Sequence, residues 1–220
     1  MTTILIAGFG PFPGAPFNPT GPLAGRLARL RRPALADTRR IAHVFQTSYA
    51  AVDRELPALI ARHRPDIVLM FGLAARTPFL RIETRAKNTI SLLPGADRAS
   101  PQARSIAKYK PAALALRNPR QSLLAAARAA RVPARLSRDA GNYLCNYLCW
   151  RAAEAADGRH PRLVAFIHVP NVRRKALRRM PRKLRKPLTL DDLTRAGSAI
   201  LTALAGAARR RLPNVNRPKE

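Results

Sequence analysis

The amino-acid sequence predicts an α/β protein, a three-layer α/β/α sandwich with a twisted, mostly parallel mixed sheet. Three short apolar runs alternate with two helical patterns over the first third of the chain. This alternation is typical of folds with helices on both faces of a sheet. An apolar fraction of 47% over 220 residues is sufficient for one core. Ligands bind outside the carboxyl ends of the strands in such folds, so we expect the functional site there.

The N-terminal half contains the clearest elements. Uninterrupted apolar runs that end at Gly8 and Gly72 are typical of buried parallel strands. Apolar residues at helical spacing predict a helix that Pro65 stops. Asn18 or Thr20 is a candidate cap for the first predicted helix, over residues 22–30. The predicted order is strand 4–7, helix 22–30, strand 41–45, helix 50–63 and strand 67–71.

The C-terminal half begins with a less regular segment, residues 74–111, and then regains a pattern. Leu144, Leu148 and Ala152 share one side of a predicted helix, and Thr189 is the predicted cap of the last helix. The predicted elements are helix 122–130, a short edge strand or loop at 134–137, helix 142–156, strand 163–168 and helix 190–208. We expect one domain over residues 1–208 and a basic, frayed tail over residues 209–220.

The formal net charge of +29 is extreme for a chain of this length. It predicts nonspecific contact with polyanions, and the stretch from Arg173 to Pro187 contains basic residues and no acid. Because basic residues are spread over nearly the whole chain, a general drift towards arginine explains the charge equally well. A nucleic-acid-binding protein on the same fold is a further alternative, although aromatic residues for base stacking are scarce at 5%.

The two cysteines, Cys145 and Cys149, are too few and too close in sequence for a disulfide framework. A reducing, cytoplasmic location is the simpler expectation. The chain opens with a strand pattern rather than a signal peptide, and no apolar run approaches the ~20 residues that span a membrane. No zinc pattern is present, so we expect no metal and no cofactor.

Cys145 is the candidate nucleophile because it lies near the start of a predicted helix. The positive end of a helix favours a thiolate, and its backbone N–H groups can hold an oxyanion. The alternative is a small buried packing residue. Cys149, one turn further along, is better explained as part of the core.

Two further residues complete a possible catalytic set. His168 directly follows an apolar strand, where strand ends and loops meet, and it is the candidate base. Glu83 is one of only 12 acidic residues and is the candidate group that orients the imidazole. The alternatives are a satisfied core histidine and an ion pair of Glu83 with Arg81 or Arg85.

Taken together, these residues resemble the pyroglutamyl peptidase I family, the pyrrolidone-carboxylate peptidases. The matching motifs occur in the family's order over roughly residues 4–205. The cysteine motif, Ser-x-x-Ala-Gly-x-Tyr-x-Cys-Asn, and the histidine motif are specific, whereas the glycine loop alone is weak. The motifs are Gly8–Phe12 with Asn18–Thr20, Pro65–Ala74, Ile82–Asn88, Ser137–Asn146, Phe166–Pro170 and Leu190–Asp192.

The resemblance implies an omega peptidase that removes N-terminal pyroglutamate from peptides through a thioester. It implies Cys145 as nucleophile, His168 as base and Glu83 as orienting acid, and it suggests a homo-oligomer. The expected substrate contacts are Phe9 and Phe12 as walls of a slot for the lactam ring, Leu73 after Gly72, and Asn18.

One departure from the family lies near the expected oxyanion site. The family has an arginine after its glutamate motif, whereas Leu92 and Leu93 stand there in this chain. The loop over residues 74–77 also differs from the family's glycine-rich version. A related cysteine amidohydrolase with a shifted acyl specificity is therefore the alternative enzyme.

Overall fold

The structure is a computed structural model that describes residues 1–158, 160–172 and 187–211, the side chain of Arg211 excepted. The basic stretch from Arg173 to Pro187 lies outside the described residues except for Pro187. Of the predicted tail, residues 212–220 also lie outside them, whereas residues 209–211 continue the last helix.

The described residues form eight strands and five α-helices, together with a short 3₁₀ helix at Pro33–Leu35. The strands are β1 (Thr2–Phe9), β2 (Thr38–Phe45), β3 (Ile67–Leu73), β4 (Leu80–Glu83), β5 (Arg85–Lys87), β6 (Ala113–Ala115), β7 (Ala134–Ser137) and β8 (Leu163–Val169). The α-helices are α1 (Thr20–Ala28), α2 (Tyr49–His63), α3 (Arg120–Ala129), α4 (Leu144–Ala155) and α5 (Leu190–Arg211).

Six strands form one mixed sheet in the order β2-β1-β3-β8-β4-β7. The first four are parallel, whereas β4 runs antiparallel to β8 and parallel to β7. Strands β5 and β6 form a separate antiparallel pair. Helices α1, α3 and α5 pack on one face of the large sheet, and α2 and α4 pack on the other. The predicted α/β fold is confirmed.

Side-chain alternation along the central strands divides the core into two halves. On β8, Leu163, Ala165 and Ile167 pack towards α1, α3 and α5. Val164 and Phe166 face the opposite way, towards α4. Because residues two apart share a face of a strand, His168 also faces α4, the helix that carries both cysteines.

The main helices and strands of the prediction are present, with differences at their ends. Residues 134–137 form the edge strand β7, and Thr189 caps α5 by accepting a hydrogen bond from the backbone N–H of Asp192. Helix α1 begins at Thr20 with Pro19 at the N-cap position, so neither predicted cap occupies that position, although Asn18 Oδ1 accepts from the Thr20 N–H, the first of the helix. Thr20 Oγ1 instead accepts a hydrogen bond from the Phe9 backbone N–H.

No helix among the described residues has both the length and the apolar character needed to cross a membrane.

Candidate active site

A cavity of about 510 Å³ lies at the carboxyl ends of β3 and β8 and opens above the start of α4. It contains both Cys145 and His168, the candidate nucleophile and the candidate base. Its lining consists of Leu73, Ala74, Arg81, Ser137, Asp139, Ala140, Gly141, Asn142, Tyr143, Cys145 and His168. The location agrees with the expectation that a ligand binds where the central parallel strands end.

Helix α4 presents Cys145 in its first turn, with Tyr143 at the N-cap position. The backbone N–H groups of a first helical turn have no partner within the helix and carry partial positive charge. Cys145 is half-buried, whereas Cys149 is fully buried and belongs to the core, as predicted. The thiol and free N–H groups therefore lie together at the edge of the cavity.

The side chain of Asn146 anchors this helix end to the neighbouring chain. Its Nδ2 donates to the carbonyl oxygens of Lys87 and Thr89, at 2.8 and 2.9 Å, and its Oδ1 accepts from the Lys87 N–H at 2.9 Å. Asn146 is fully buried. The residue next to Cys145 thus fixes the start of α4 through three hydrogen bonds.

His168 connects the thiol to Glu83. Its Nδ1 lies 2.8 Å from Glu83 Oε1, so Nε2 is the ring nitrogen left to act on the Cys145 thiol, which lines the same cavity. Burial disfavours a charged imidazole, but the negative charge and hydrogen bond of Cys145, followed by those of Glu83, outweigh it and raise the pKa of His168 from 6.5 to about 9. The arrangement therefore favours an imidazolium at neutral pH.

Glu83 is fully buried between two cations. Burial acts to raise its pKa, but the hydrogen bond and charge of His168, with smaller contributions from Ser137 and Arg81, lower the pKa overall. Its Oε2 nevertheless has no hydrogen bond of good geometry among the described residues. Glu83 contacts both of the partners that the sequence suggested, because it lies 2.8 Å from His168 Nδ1 and 3.0 Å from Arg81 Nη2, and its catalytic role stays a prediction. Arg85 instead donates to the carbonyl of Arg138.

The four expected substrate contacts lie in different environments. Leu73 lines the cavity, whereas Phe9, Phe12 and Asn18 are not among its lining residues. Phe9 is buried against Phe45, with ring centroids 6.2 Å apart, and Phe12 is half-exposed in the loop after β1. The structure brings Leu73 to the cavity and leaves the other three substrate contacts as predictions.

Asn18 is buried and has a structural partner for each polar atom. Its Nδ2 donates to the Gly10 carbonyl, and its Oδ1 accepts from the N–H and hydroxyl of Thr20. These bonds hold the loop after β1 against the start of α1.

Leu92 and Leu93 lie on a loop that is attached to the cavity wall. Tyr143 Oη donates to the Pro94 carbonyl at 2.7 Å, and the Ser91 N–H donates to the carbonyl of Asn142. Both leucines are exposed, by 41% and 65% of their surface. An exposed apolar loop therefore stands where the family resemblance implies an arginine.

From the sequence, Arg81 is only a possible partner of Glu83 and not a member of the site. In the structure Arg81 lines the cavity and lies directly opposite His168 on the neighbouring strand. The sequence signal for placing Arg81 in the site is its spacing from Glu83, since residues two apart on a strand share a face.

A larger cavity, of about 600 Å³, lies between α2 and α4. Its lining contains no cysteine and includes Asp53 and Glu154, each of which pairs with Arg151. The smaller cavity is the better candidate because it contains the thiol and the imidazole. The part of the chain that the structure describes holds no group of three His, Cys, Asp or Glu side chains that could bind a metal ion.

An α/β/α sandwich with a thiol, an imidazole and a carboxylate at the edge of a cavity has the groups that a cysteine hydrolase uses. The family model described as Pyroglutamyl peptidase matches residues 2–203. The chain therefore belongs to the pyroglutamyl peptidase family.

Individual relatives agree with this assignment. A pyrrolidone-carboxylate peptidase of Thermococcus onnurineus is 29% identical over 201 residues, which cover 90% of this chain and 96% of the relative. Pyrrolidone-carboxylate peptidase 1 of Ralstonia nicotianae is 36% identical over 176 residues, which cover 77% of this chain and 79% of the relative. The structure of the pyrrolidone carboxyl peptidase from Thermococcus litoralis has a TM-score of 0.85 at 24% identity, with 100% of both chains covered, which shows the shared fold.

Proposed function

We propose that this protein removes pyroglutamate from the N-terminus of peptides, with Cys145 as nucleophile, His168 as acid and base, and Glu83 as the orienting carboxylate. The proposal rests on one observation: Cys145 and His168 line the same cavity, and His168 contacts Glu83 through Nδ1. Membership of the family and the names of the relatives support the choice of substrate.

The first half of the reaction forms a thioester. The Cys145 sulfur attacks the carbonyl carbon that joins the pyroglutamyl ring to the next residue, and the carbonyl oxygen becomes an oxyanion. The tetrahedral intermediate collapses when the C–N bond breaks, and His168 Nε2 donates its proton to the departing amine. The shortened peptide leaves, and the pyroglutamyl group remains on the sulfur.

The second half restores the enzyme. His168, now neutral, takes a proton from a water molecule that attacks the thioester carbonyl. Collapse of the second tetrahedral intermediate breaks the C–S bond, releases pyroglutamate and regenerates the thiolate beside the imidazolium. Glu83 keeps Nδ1 protonated throughout, so that Nε2 is the nitrogen that exchanges the proton.

The first turn of α4 supplies the donors for the oxyanion in this proposal. Its backbone N–H groups lack helical acceptors and lie beside the Cys145 thiol. The Gly141 N–H is not available for this purpose because it donates to Asp139 Oδ1 at 2.8 Å. Oxyanion stabilisation therefore rests on the helix end and not on the glycine of the cysteine motif.

Turnover of a chromogenic pyroglutamyl amide tests the proposal. Cys145→Ala should reduce kcat/KM by at least roughly a thousandfold, because the covalent route is lost. Cys149→Ala is the matched control, since it removes the other thiol from the same helix and should retain turnover. No thiol-dependent turnover by the folded wild-type protein would refute the proposal.

A panel of other acyl amides separates the alternative enzyme from the main proposal. Turnover of a different acyl amide that depends on Cys145, without turnover of the pyroglutamyl amide, would indicate a shifted specificity. The same assay on Phe9→Ala and Phe12→Ala tests the predicted walls of the lactam slot. Each substitution should raise KM for the pyroglutamyl amide.

Three further proposals concern the setting of the enzyme. We propose nonspecific contact with polyanions on the basis of the net charge of +29, a homo-oligomer on the basis of the family, and a cytoplasmic location on the basis of the two free cysteines. Binding to duplex DNA that weakens with salt and is unchanged by Cys145→Ala would support the first. Light scattering at several salt concentrations tests the second, and cell fractionation tests the third.

A further inference from the structure

We propose that Arg81 is a positioning residue that keeps Glu83 ionised and fixed against His168, an inference that rests on the proposed function. Arg81 lies directly opposite His168 in the antiparallel ladder between β4 and β8. Directly opposite residues share a face of the sheet, and so do Arg81 and Glu83, two residues apart on β4. The three side chains therefore meet on the face that packs against α4.

The guanidinium of Arg81 binds both the carboxylate and the loop that precedes α4. Its Nε and Nη2 lie 3.1 and 3.0 Å from Glu83 Oε1, the same oxygen that binds His168 Nδ1. Its Nη2 also donates to the backbone carbonyl of Asp139. A single side chain thus connects the carboxylate to the loop over residues 137–143, which lines the cavity.

The burial of Glu83 makes a second cation necessary. The carboxylate is fully buried, and its Oε2 has no hydrogen bond of good geometry among the described residues. An uncompensated buried carboxylate gains a proton instead of remaining charged. After His168 protonates the leaving amine, its Nδ1–H still gives Glu83 a hydrogen bond but no longer a positive charge. Arg81 stays charged at every step.

The charge of Arg81 also affects the pH range of the site. The titratable and charged groups that face Glu83 from the surrounding elements are Arg81 on β4, His168 on β8, Cys145 and Cys149 on α4, and the pair of Asp139 and Lys87 beside the cavity. Loss of a nearby positive charge raises the pKa of every remaining acid in such a cluster. In the resting enzyme the charged His168 still holds Glu83 ionised, so both limbs of the activity profile should move to higher pH when Arg81 is neutralised.

The variants Arg81→Gln and Arg81→Lys, with Arg85→Gln as control, test this proposal. Arg85 is matched because its Nε donates to a carbonyl of the same loop, that of Arg138, at 2.9 Å without contacting Glu83. In Arg81→Gln the pH profile of kcat/KM should move up by about one pH unit. Its kcat should fall by roughly tenfold, less than the ~100-fold loss from a misplaced reacting group. KM should change less than kcat, and Arg81→Lys should restore the wild-type profile because it keeps the charge.

A second measurement does not depend on any substrate. The rate at which iodoacetamide alkylates Cys145, followed against pH, should show the same alkaline displacement in Arg81→Gln and none in Arg85→Gln. If the displacement occurs without turnover of the pyroglutamyl amide, the proposed function fails and the role of Arg81 stands. Identical profiles for both variants, or a raised KM with an unmoved profile, would overturn the positioning role.

Discussion

Gly72 leaves room for the sulfur of Cys145. A Cβ atom built on Gly72 would lie 2.8 Å from Cys145 Sγ and 2.7 Å from the Phe166 ring, distances that no side chain can accept without movement. Gly72 is near the end of β3 and pairs with His168 of β8. The absence of a side chain on β3 therefore allows the helix that carries the thiol to approach the strand that carries the imidazole.

The substitution Gly72→Ala should lower kcat/KM of the pyroglutamyl amide by about 100-fold, because a displaced sulfur loses its alignment with the imidazole. It should also reduce the free energy of unfolding by about 1–3 kcal/mol through overpacking. Activity assays and urea denaturation measure the two effects. Gly206→Ala is the control: its Cβ meets only Arg210 within 4 Å, so it should stabilise α5 by roughly 0.5–1 kcal/mol and leave turnover unchanged.

The fold could be predicted from the sequence because its main strands are continuous apolar runs, such as Ile67–Leu73. Strands β4, β5 and β6 could not, since they are three or four residues long, too short to display an alternating pattern, and β7, of the same length as β4, was expected only as an edge strand or loop. Because β4 was not predicted, its pairing with β8, which places Arg81 opposite His168, could not be predicted either.

The identity of the candidate triad could be predicted from motifs, but the hydrogen bonds and ion pairs that connect its residues could not. The sequence leaves a triad role for Glu83 and an ion pair with Arg81 or Arg85 as alternatives, whereas one carboxylate oxygen binds both His168 and Arg81. The anchoring of α4 by Asn146 depends on contacts 57 and 59 residues apart in the chain. Such distant contacts are set by tertiary packing and leave no local pattern.

Loss of the Asn146 side chain should damage both stability and activity. Asn146→Ala removes three part-buried hydrogen bonds to backbone groups of Lys87 and Thr89, each worth about 0.5–1.5 kcal/mol. Because Asn146 follows Cys145 directly, the start of α4 should also shift, and kcat should fall. Asn118→Ala separates the two effects, since Asn118 donates to the Val164 carbonyl away from the cavity. It should destabilise the fold without lowering kcat, and an equal kcat loss in both variants would contradict the anchoring role.

The raised pKa of His168 makes stability depend on pH. A pKa raised from 6.5 to about 9 means that the charged imidazole stabilises the folded state fully below pH 6.5 and that this contribution disappears as pH rises through 9. The size is on the order of 3 kcal/mol. Urea denaturation should show that the free energy of unfolding falls more between pH 6 and pH 10 for the wild type than for His168→Gln. Equal losses would contradict a charged His168.

Glu83 should make stability depend on pH in the opposite direction. Its lowered pKa means that the ionised carboxylate stabilises the folded state above its ordinary value of 4.5 and that the contribution is lost as pH falls further. Glu83→Gln should therefore flatten the stability profile on the acid side and lower the pKa of His168. A nuclear magnetic resonance titration of the His168 ring measures the second effect, and an unmoved titration midpoint would contradict the proposed contact.

An arginine placed on the loop of Leu92 and Leu93 should raise kcat. The loop is attached beside the Cys145 helix end through the bond from Tyr143 to Pro94, and both leucines are exposed, so substitution should cost little stability. A cation there can approach the oxyanion of the tetrahedral intermediate, whose stabilisation by one added donor is worth up to about 100-fold. We expect a gain of roughly threefold to tenfold in kcat for Leu92→Arg or Leu93→Arg. Leu92→Gln and Leu93→Gln are neutral controls, and equal rates for the arginine and glutamine variants would show that the helix end alone stabilises the oxyanion.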